Sequence, residues 1–258
     1  MILPYIKHLF RAGDEHSVHS PFVFELYRDV IGGKLPDNED LRKLQQLRKS
    51  LRSSRQEIEV LDLGAGSRVN KSNRRQIGQI AKNAEKPEKF GRLFYRLCQH
   101  FKPQTIVELG TSLGLTTLYF AKSSPDARIY TLEGCPQTAA IAADNFKSQG
   151  SDNIQIVTGN IDNTLKETLA GLTVPLDLVY FDANHRYEPT VQYFRECLAH
   201  AHDGSLFIFD DIYWSEGMSQ AWEEIKAHPS VTVTIDLFWI GLVFFRKEQV
   251  REDFVLRF

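Results

Sequence analysis

Between residues 90 and 245, short apolar runs alternate with amphipathic segments, and this alternation limits the fold more than any other feature of the chain. Phe90, Leu93, Phe94, Leu97, Cys98 and Phe101 recur at i, i+3, i+4, i+7, i+8 and i+11, the spacing of one helical face. Pro103 follows that helix. Apolar runs then come at 105–109, 128–132, 154–158, 176–181 and 205–209, separated by helical patterns at 115–121, 137–149, 161–169 and 189–201. A βα repeat of this kind predicts a parallel sheet with helices on both faces. After a helix at 218–227, two runs at 231–236 and 240–245 are joined by only a few residues. A link that short allows only antiparallel pairing. The expectation is therefore an α/β fold: a mixed sheet of seven strands ending in an antiparallel hairpin.

Residues 1–86 read as a mostly helical extension ahead of a main domain at 87–258. Ser20 and Pro21 have the chemistry of an N-cap and a first helical residue. Leu41, Leu44, Leu47 and Leu51 share one helical face, with Arg42, Lys43, Arg48, Lys49, Arg52 and Arg55 expected around it in solvent. Residues 64–83 are rich in Gly, Ser, Asn, Arg and Lys and read as a loop or mobile segment. Charge divides unevenly. Residues 1–89 hold 17 Lys and Arg against 12 Asp and Glu, and the remainder holds 14 against 21. The overall charge of −2 argues against a strongly basic nucleic-acid binder. No apolar run reaches the ~18 residues of a membrane span. The first residues become charged too soon for a secretory signal. Cys98, Cys135 and Cys197 are odd in number and scattered. They suit a reducing cytoplasm and exclude a disulfide framework or a Cys-rich zinc site.

In an open α/β sheet, ligands sit beyond the carboxyl ends of the strands. The first strand runs into Glu108-Leu109-Gly110-Thr111-Ser112-Leu113-Gly114-Leu115-Thr116-Thr117. Small residues there allow a tight turn, and the next helix offers N–H groups to a ligand. The dinucleotide glycine pattern fails, because Ser112 and Leu115 stand where it needs other residues. Glu108 would repel a pyrophosphate and suit a cationic ligand. The second strand ends in Glu133-Gly134, with Glu133 lying 23 residues beyond Gly110. A carboxylate there can take both hydroxyls of a ribose. The ordinary alternatives are a Gly-rich turn and a solvated carboxylate. A similar turn at 60–67 lacks an acidic residue at the required spacing and reads as a local or substrate-side loop.

The fourth strand of the repeat leads to Asp182 and His185, and the fifth to Asp210-Asp211-Ile212-Tyr213-Trp214. As neighbours, these strands would bring Asp182, Asp210 and Asp211 to one rim. Converging carboxylates repel unless a hard divalent cation offsets them, and oxygen ligands suit Mg²⁺, Ca²⁺ or Mn²⁺. Helix capping by separate aspartates is the alternative. His185 is a candidate general base near neutral pH. Tyr213 and Trp214 are candidates to wall a pocket.

From about residue 90 onward these motifs resemble, in order, the class I S-adenosylmethionine-dependent methyltransferases, and most of all the cation-dependent O-methyltransferases of the catechol and caffeoyl-CoA type. The resemblance implies a Rossmann-like sheet. It implies that Glu108, Gly110, Thr111, Ser112, Gly114 and Thr116 cradle the methionine part of S-adenosylmethionine. Glu133 and Gly134 would hold the ribose, and Asn160 and Ile161 would flank the adenine. Asp182 would border the donor and, with Asp210 and Asp211, bind Mg²⁺. Asp211 stands where the family has Asn, and His185 where some members carry a catalytic Lys. The implied reaction moves a methyl group to a hydroxyl oxygen of a small molecule. Residues 1–86 would cover the substrate or build a homodimer. Three other readings compete. RNA methylation is favoured by the basic N-terminal part, but Asp210-Asp211-Ile212-Tyr213 replaces the motif of base amino methylation. An NAD-type dehydrogenase fails on the glycine pattern. A binding module of the same fold would not need the acidic rim.

Overall fold

The structure, a computed structural model, describes residues 2–34, 37–61 and 73–258. In chain order the helices are α1 (Ile2–Arg11), α2 (Pro21–Leu26), α3 (Glu39–Ser53), α4 (Ile77–Asn83), α5 (Glu88–Phe101), α6 (Leu115–Ser123), α7 (Pro136–Ser148), α8 (Ile161–Ala170), α9 (Tyr187–Leu198) and α10 (Glu216–Ala227). The strands are β1 (Glu57–Glu59), β2 (Arg74–Gln76), β3 (Thr105–Leu109), β4 (Arg128–Glu133), β5 (Ile154–Thr158), β6 (Leu176–Phe181), β7 (Ala201–Asp210), β8 (Val233–Asp236), β9 (Ile240–Phe244) and β10 (Glu252–Val255). β3 to β10 make a mixed sheet of eight strands, one more than the sequence pattern suggests. Two compact units divide the chain: residues 35–168, and residues 1–34 with 169–258.

In the unit of residues 35–168, β3, β4 and β5 run parallel in that order. Every residue of β3 is buried, as a strand covered on both faces requires. α3 starts where the Asn38 side chain accepts the Leu41 N–H at 2.9 Å. Its leucines serve two clusters. Leu41 and Leu44 pack with Tyr95, Leu118, Tyr119 and Phe146. Leu51 packs with Ile58, Ile77, Ala81, Leu113 and Leu115. α3 and α4 thus share the core of this unit.

Two expectations are corrected here. Arg48, assigned to the solvated face of its helix, is buried at 8% exposure between these leucines. The stretch read as a loop contains β2, which pairs antiparallel with β1, and then α4. Its polar composition masks the apolar spacing of Ile77, Ile80 and Ala81, which carries α4 into the core. The turn at 64–67 and the basic residues Arg68 and Lys71 lie outside the described residues.

The second unit holds strands in the order β10-β8-β9-β7-β6. β6 and β7 are parallel neighbours, and β9 pairs antiparallel with both β7 and β8. The short hairpin link therefore does what its length requires. The extra strand, β10, pairs parallel with β8. It is four residues long and exposes Glu252 and Asp253, so it lacks the apolar run that marks the other strands. Phe181 stacks on Phe209 at 4.2 Å, binding β6 to β7 beneath the site. Ser20 caps α2 with Pro21 at its first turn, as its sequence predicts.

Candidate functional site

The Gly-rich turn after β3 is fastened from two directions. Gly110 takes φ +99°, Ser112 +50° and Gly114 +80°, so the backbone reverses within five residues. The Gly110 N–H donates to the Leu132 carbonyl at 2.9 Å, tying the turn to the end of β4. Any side chain at Gly114 would place its first carbon 2.4 Å from the Phe146 ring. Gly114 also precedes α6 without a side-chain cap. The helix start is left open to a ligand's acceptor atoms.

The two acids at the ends of β3 and β4, Glu108 and Glu133, both accept hydrogen bonds. Glu108 is fully buried in β3. Its Oε2 accepts hydrogen bonds from the hydroxyls of Thr117 and, at 2.6 Å, Thr131. The Thr131 hydroxyl has one hydrogen and gives it to Glu108, so Thr111 must donate to Thr131 across their 2.6 Å contact. Glu133 ends β4 with one carboxylate oxygen accepting the Ser112 N–H at 2.8 Å and the other accepting the Cys135 N–H at 2.8 Å. The Gly159 N–H donates to the Glu133 carbonyl, which brings the start of the next turn to the same strand end. There the Asn160 side chain accepts the Asp162 N–H at 3.0 Å, and Ile161 opens α8. Thr116 lies half-buried in the first turn of α6, and Gly134 follows Glu133 in the turn after β4. The residues expected around the methionine, ribose and adenine of the donor therefore gather at the ends of three adjacent strands.

The second unit carries a different constellation. Ligating atoms of Asp182, His185 and Asp210 lie within 4.8 Å of one another. His185 Nε2 stands 3.4 Å from Asp182 Oδ1, and the Tyr180 hydroxyl donates to Asp182 Oδ2 at 3.2 Å. Asp210 is buried at the end of β7. Burial alone would lower the His185 pKa, but the hydrogen bond and charge of Asp182 and the charges of Asp210 and Asp211 raise it. Asp211 acts on His185 by charge, yet its carboxylate is not among the three converging groups. Its N–H donates to the Trp239 carbonyl at 2.8 Å. Asn184, His185 and Asp211 all take left-handed φ values, of 67°, 25° and 51°. Asn, His and Asp are the non-glycine types that adopt this region most readily.

Two carboxylates and an imidazole so close together fit a divalent cation. The nitrogen widens the choice from Mg²⁺ toward Mn²⁺ and its neighbours. Around this group, Tyr213 stacks on Phe238 at 5.2 Å and donates to buried Asp236 at 2.5 Å. His8 of α1 lies 3.4 Å from the same carboxylate, and Tyr5 packs edge-on against Phe238. Trp214 is half-buried and donates its N–H to the Asp211 carbonyl.

Known proteins resemble this chain in sequence and in fold. Residues 107–212 match the family model described as a methyltransferase domain. Over 126 residues the chain is 32% identical to a catechol O-methyltransferase of Niastella koreensis, covering 48% of this chain and 55% of that protein. The chain thus spans about half the length of that curated relative. Among solved structures, an O-methyltransferase from Bacillus cereus in complex with SAH superposes with a TM-score of 0.58 at 20% identity, covering 83% of this chain and 94% of the other. The O-methyltransferase TomG from Streptomyces achromogenes, in complex with SAM, gives 0.59 at 17%, covering 82% and 92%. At such identities the superpositions speak for the fold. Residues 107–212 thus carry the match to a methyltransferase domain, and the chain is similar to O-methyltransferases in sequence over about half its length and in fold over most of it.

Proposed function

We propose that this protein transfers the methyl group of S-adenosylmethionine to a hydroxyl oxygen of a small molecule, assisted by a divalent cation, Mg²⁺ in the first instance. The observation that carries the reading is the presence in one chain of a Gly-rich turn fastened to Glu133 and of a converging Asp182–His185–Asp210 group. The similarity to a catechol O-methyltransferase supports a phenolic or catecholic acceptor.

When bound, the donor supplies an electrophilic methyl on a sulfonium, and the cation lowers the pKa of an acceptor hydroxyl. The chain's own residues do the rest. The 110–114 turn seats the methionine part, Glu133 with Gly134 takes the ribose hydroxyls, and Asn160 with Ile161 borders the adenine. Glu108, Thr111 and Thr116 support that seat. Holding donor and acceptor in line is the main catalytic task of such a fold. Asp182, Asp210 and Asp211 would hold the cation. His185, oriented by Asp182, takes the proton of the acceptor hydroxyl. A second reading rests on the convergence of His185 with Asp182 and Asp210: His185 is itself a cation ligand in place of Asp211. Mn²⁺ binding to His185→Ala and Asp211→Ala, neither of which keeps a donor atom, separates the two, because only the true ligand's loss abolishes it.

Residues 1–86 are read as acceptor cover or homodimer contact; the exposed Tyr5, Ile6, Leu9 and Phe10 of α1 support this. No helix among the described residues is long and apolar enough to cross a membrane. The three buried free cysteines support a cytoplasmic setting.

The test is calorimetric titration with S-adenosylhomocysteine, with and without Mg²⁺, on the wild type and Glu133→Ala. Micromolar binding that is lost in the variant supports the reading. Absence of binding in the wild type under both conditions overturns it. Labelled methyl transfer to a panel of phenols and catechols then defines the acceptor.

A further inference from the structure

Glu85 lies in the link between α4 and α5, apart from every motif described above. It is the single acid in the otherwise basic run from 68 to 86. Its Oε1 accepts the Leu113 N–H at 3.3 Å, and the Ser112 hydroxyl bonds to the same carboxyl. Ser112 therefore gives its backbone N–H to Glu133 and its side chain to Glu85. Ser112, the non-glycine residue of the turn with a left-handed φ, is thus bonded to two acids.

We propose that Glu85 is a positioning residue for the donor site: it clamps Ser112 and Leu113 from outside, so that the 110–114 turn is set for the methionine part of the donor. This rests on the donor reading of that turn. Glu85 does not touch the donor; it acts through the turn.

The groups facing Glu85 decide how the clamp responds to pH. Buried Arg48 of α3 acts on it by charge, and Arg48 is itself hydrogen-bonded to Tyr119 of α6. Glu133 shares Ser112 with it. Burial is the largest influence and raises the Glu85 carboxyl to about 7; Arg48, Leu113 and Ser112 oppose it without cancelling it. Above that pH the carboxylate accepts two charge-assisted hydrogen bonds, which are stronger than those of the neutral acid. The clamp therefore tightens as pH rises through neutrality. By linkage, donor binding must favour ionised Glu85 to the same degree.

The experiment is titration of full-length wild type, Glu85→Ala and Glu85→Gln with S-adenosylhomocysteine at pH 6 and pH 8. S-adenosylmethionine is the second probe, because it adds the sulfonium charge. Wild-type affinity for both probes should rise by about fivefold from pH 6 to pH 8. Glu85→Ala should bind weakly with no such rise. Glu85→Gln keeps an acceptor without a charge, so it should be flat with pH and tighter than Glu85→Ala. Equal affinity and equal pH dependence in wild type and Glu85→Gln would overturn the proposal. So would a pH effect confined to S-adenosylmethionine, since that marks simple charge attraction. Should Glu85→Ala fail to fold, the isosteric Gln variant still decides. Failure of the wild type to bind either probe at both pH values removes the donor reading itself, an outcome distinct from the others.

Discussion

The two acidic regions of this molecule handle negative charge in opposite ways. In the unit of residues 35–168, each strand-end acid is met by donors: Glu108 by two threonine hydroxyls, Glu133 by two backbone N–H groups. In the other unit, Asp182 and Asp210 face each other and His185 within 4.8 Å. Its backbone adopts left-handed conformations at Asn184, His185 and Asp211. Such positions cost free energy unless the surroundings enforce them, and they gather at functional sites. A region already hydrogen-bonded is built to recognise a shape. A region with concentrated charge is built to receive a proton or a cation. Under the proposed function, the first region would bind and the second would carry the chemistry.

The sharpest way to break that assignment is to remove charge from the second region. Asp210→Asn should lower methyl transfer by about 10³-fold or more, the scale of losing an electrostatic catalytic group. It should leave S-adenosylhomocysteine affinity within about twofold, measured by calorimetry beside a turnover assay. A matching loss of donor binding would refute the division. Next in size is the mirror experiment. Glu133→Ala frees the Ser112 and Cys135 N–H groups and should weaken donor binding by about 10- to 100-fold, near 1.4–2.7 kcal/mol. Mn²⁺ affinity should be unchanged.

Two stability measurements sharpen the picture. Gly114→Ala forces a side chain against Phe146 at φ +80°, and urea unfolding should show a loss of about 2–4 kcal/mol. Glu85 offers a smaller, pH-dependent effect. Its folded pKa, about 7, lies above its ordinary 4.5. Between these values the folded state holds a proton that the unfolded state has released. Stability from this group is therefore full below about 4.5 and falls as pH rises toward 7. Glu85→Gln should gain on the wild type at pH 8 relative to pH 4, by at most roughly 3 kcal/mol.

Much of this was legible in the sequence, for stated reasons. The strand and helix alternation from Phe90 to Phe245 follows directly from which residues must be buried. Gly110, Gly114 and Glu133 were legible because a turn at a strand end and an acid at a fixed distance are local features. Asp182 and Asp210 met because parallel neighbours bring their ends to one rim. The inward turn of Arg48 was not legible, because a cation among leucines on a basic helix gives no periodic signal. Glu85 was visible as a lone acid in a basic stretch, but its partners, Ser112 and Leu113, are about 28 residues away and only tertiary structure joins them. β10 escaped because an exposed edge strand with two acids lacks an apolar run.

The threonine chain around Glu108 has a consequence for how such a site can change by descent. Thr117 and Thr131 share one buried carboxylate and Thr111 is chained to it through Thr131, so each substitution is judged by which of the others remains. Replacing Glu108 by an apolar residue would leave two hydroxyls searching for acceptors, and replacing Thr131 first would leave the carboxylate short of a donor. Every single step passes through a worse intermediate, although a joint replacement is nearly neutral in principle. The chain is thereby epistatically locked. Variation in acceptor preference is expected to accumulate elsewhere, while these four positions change together or hardly at all.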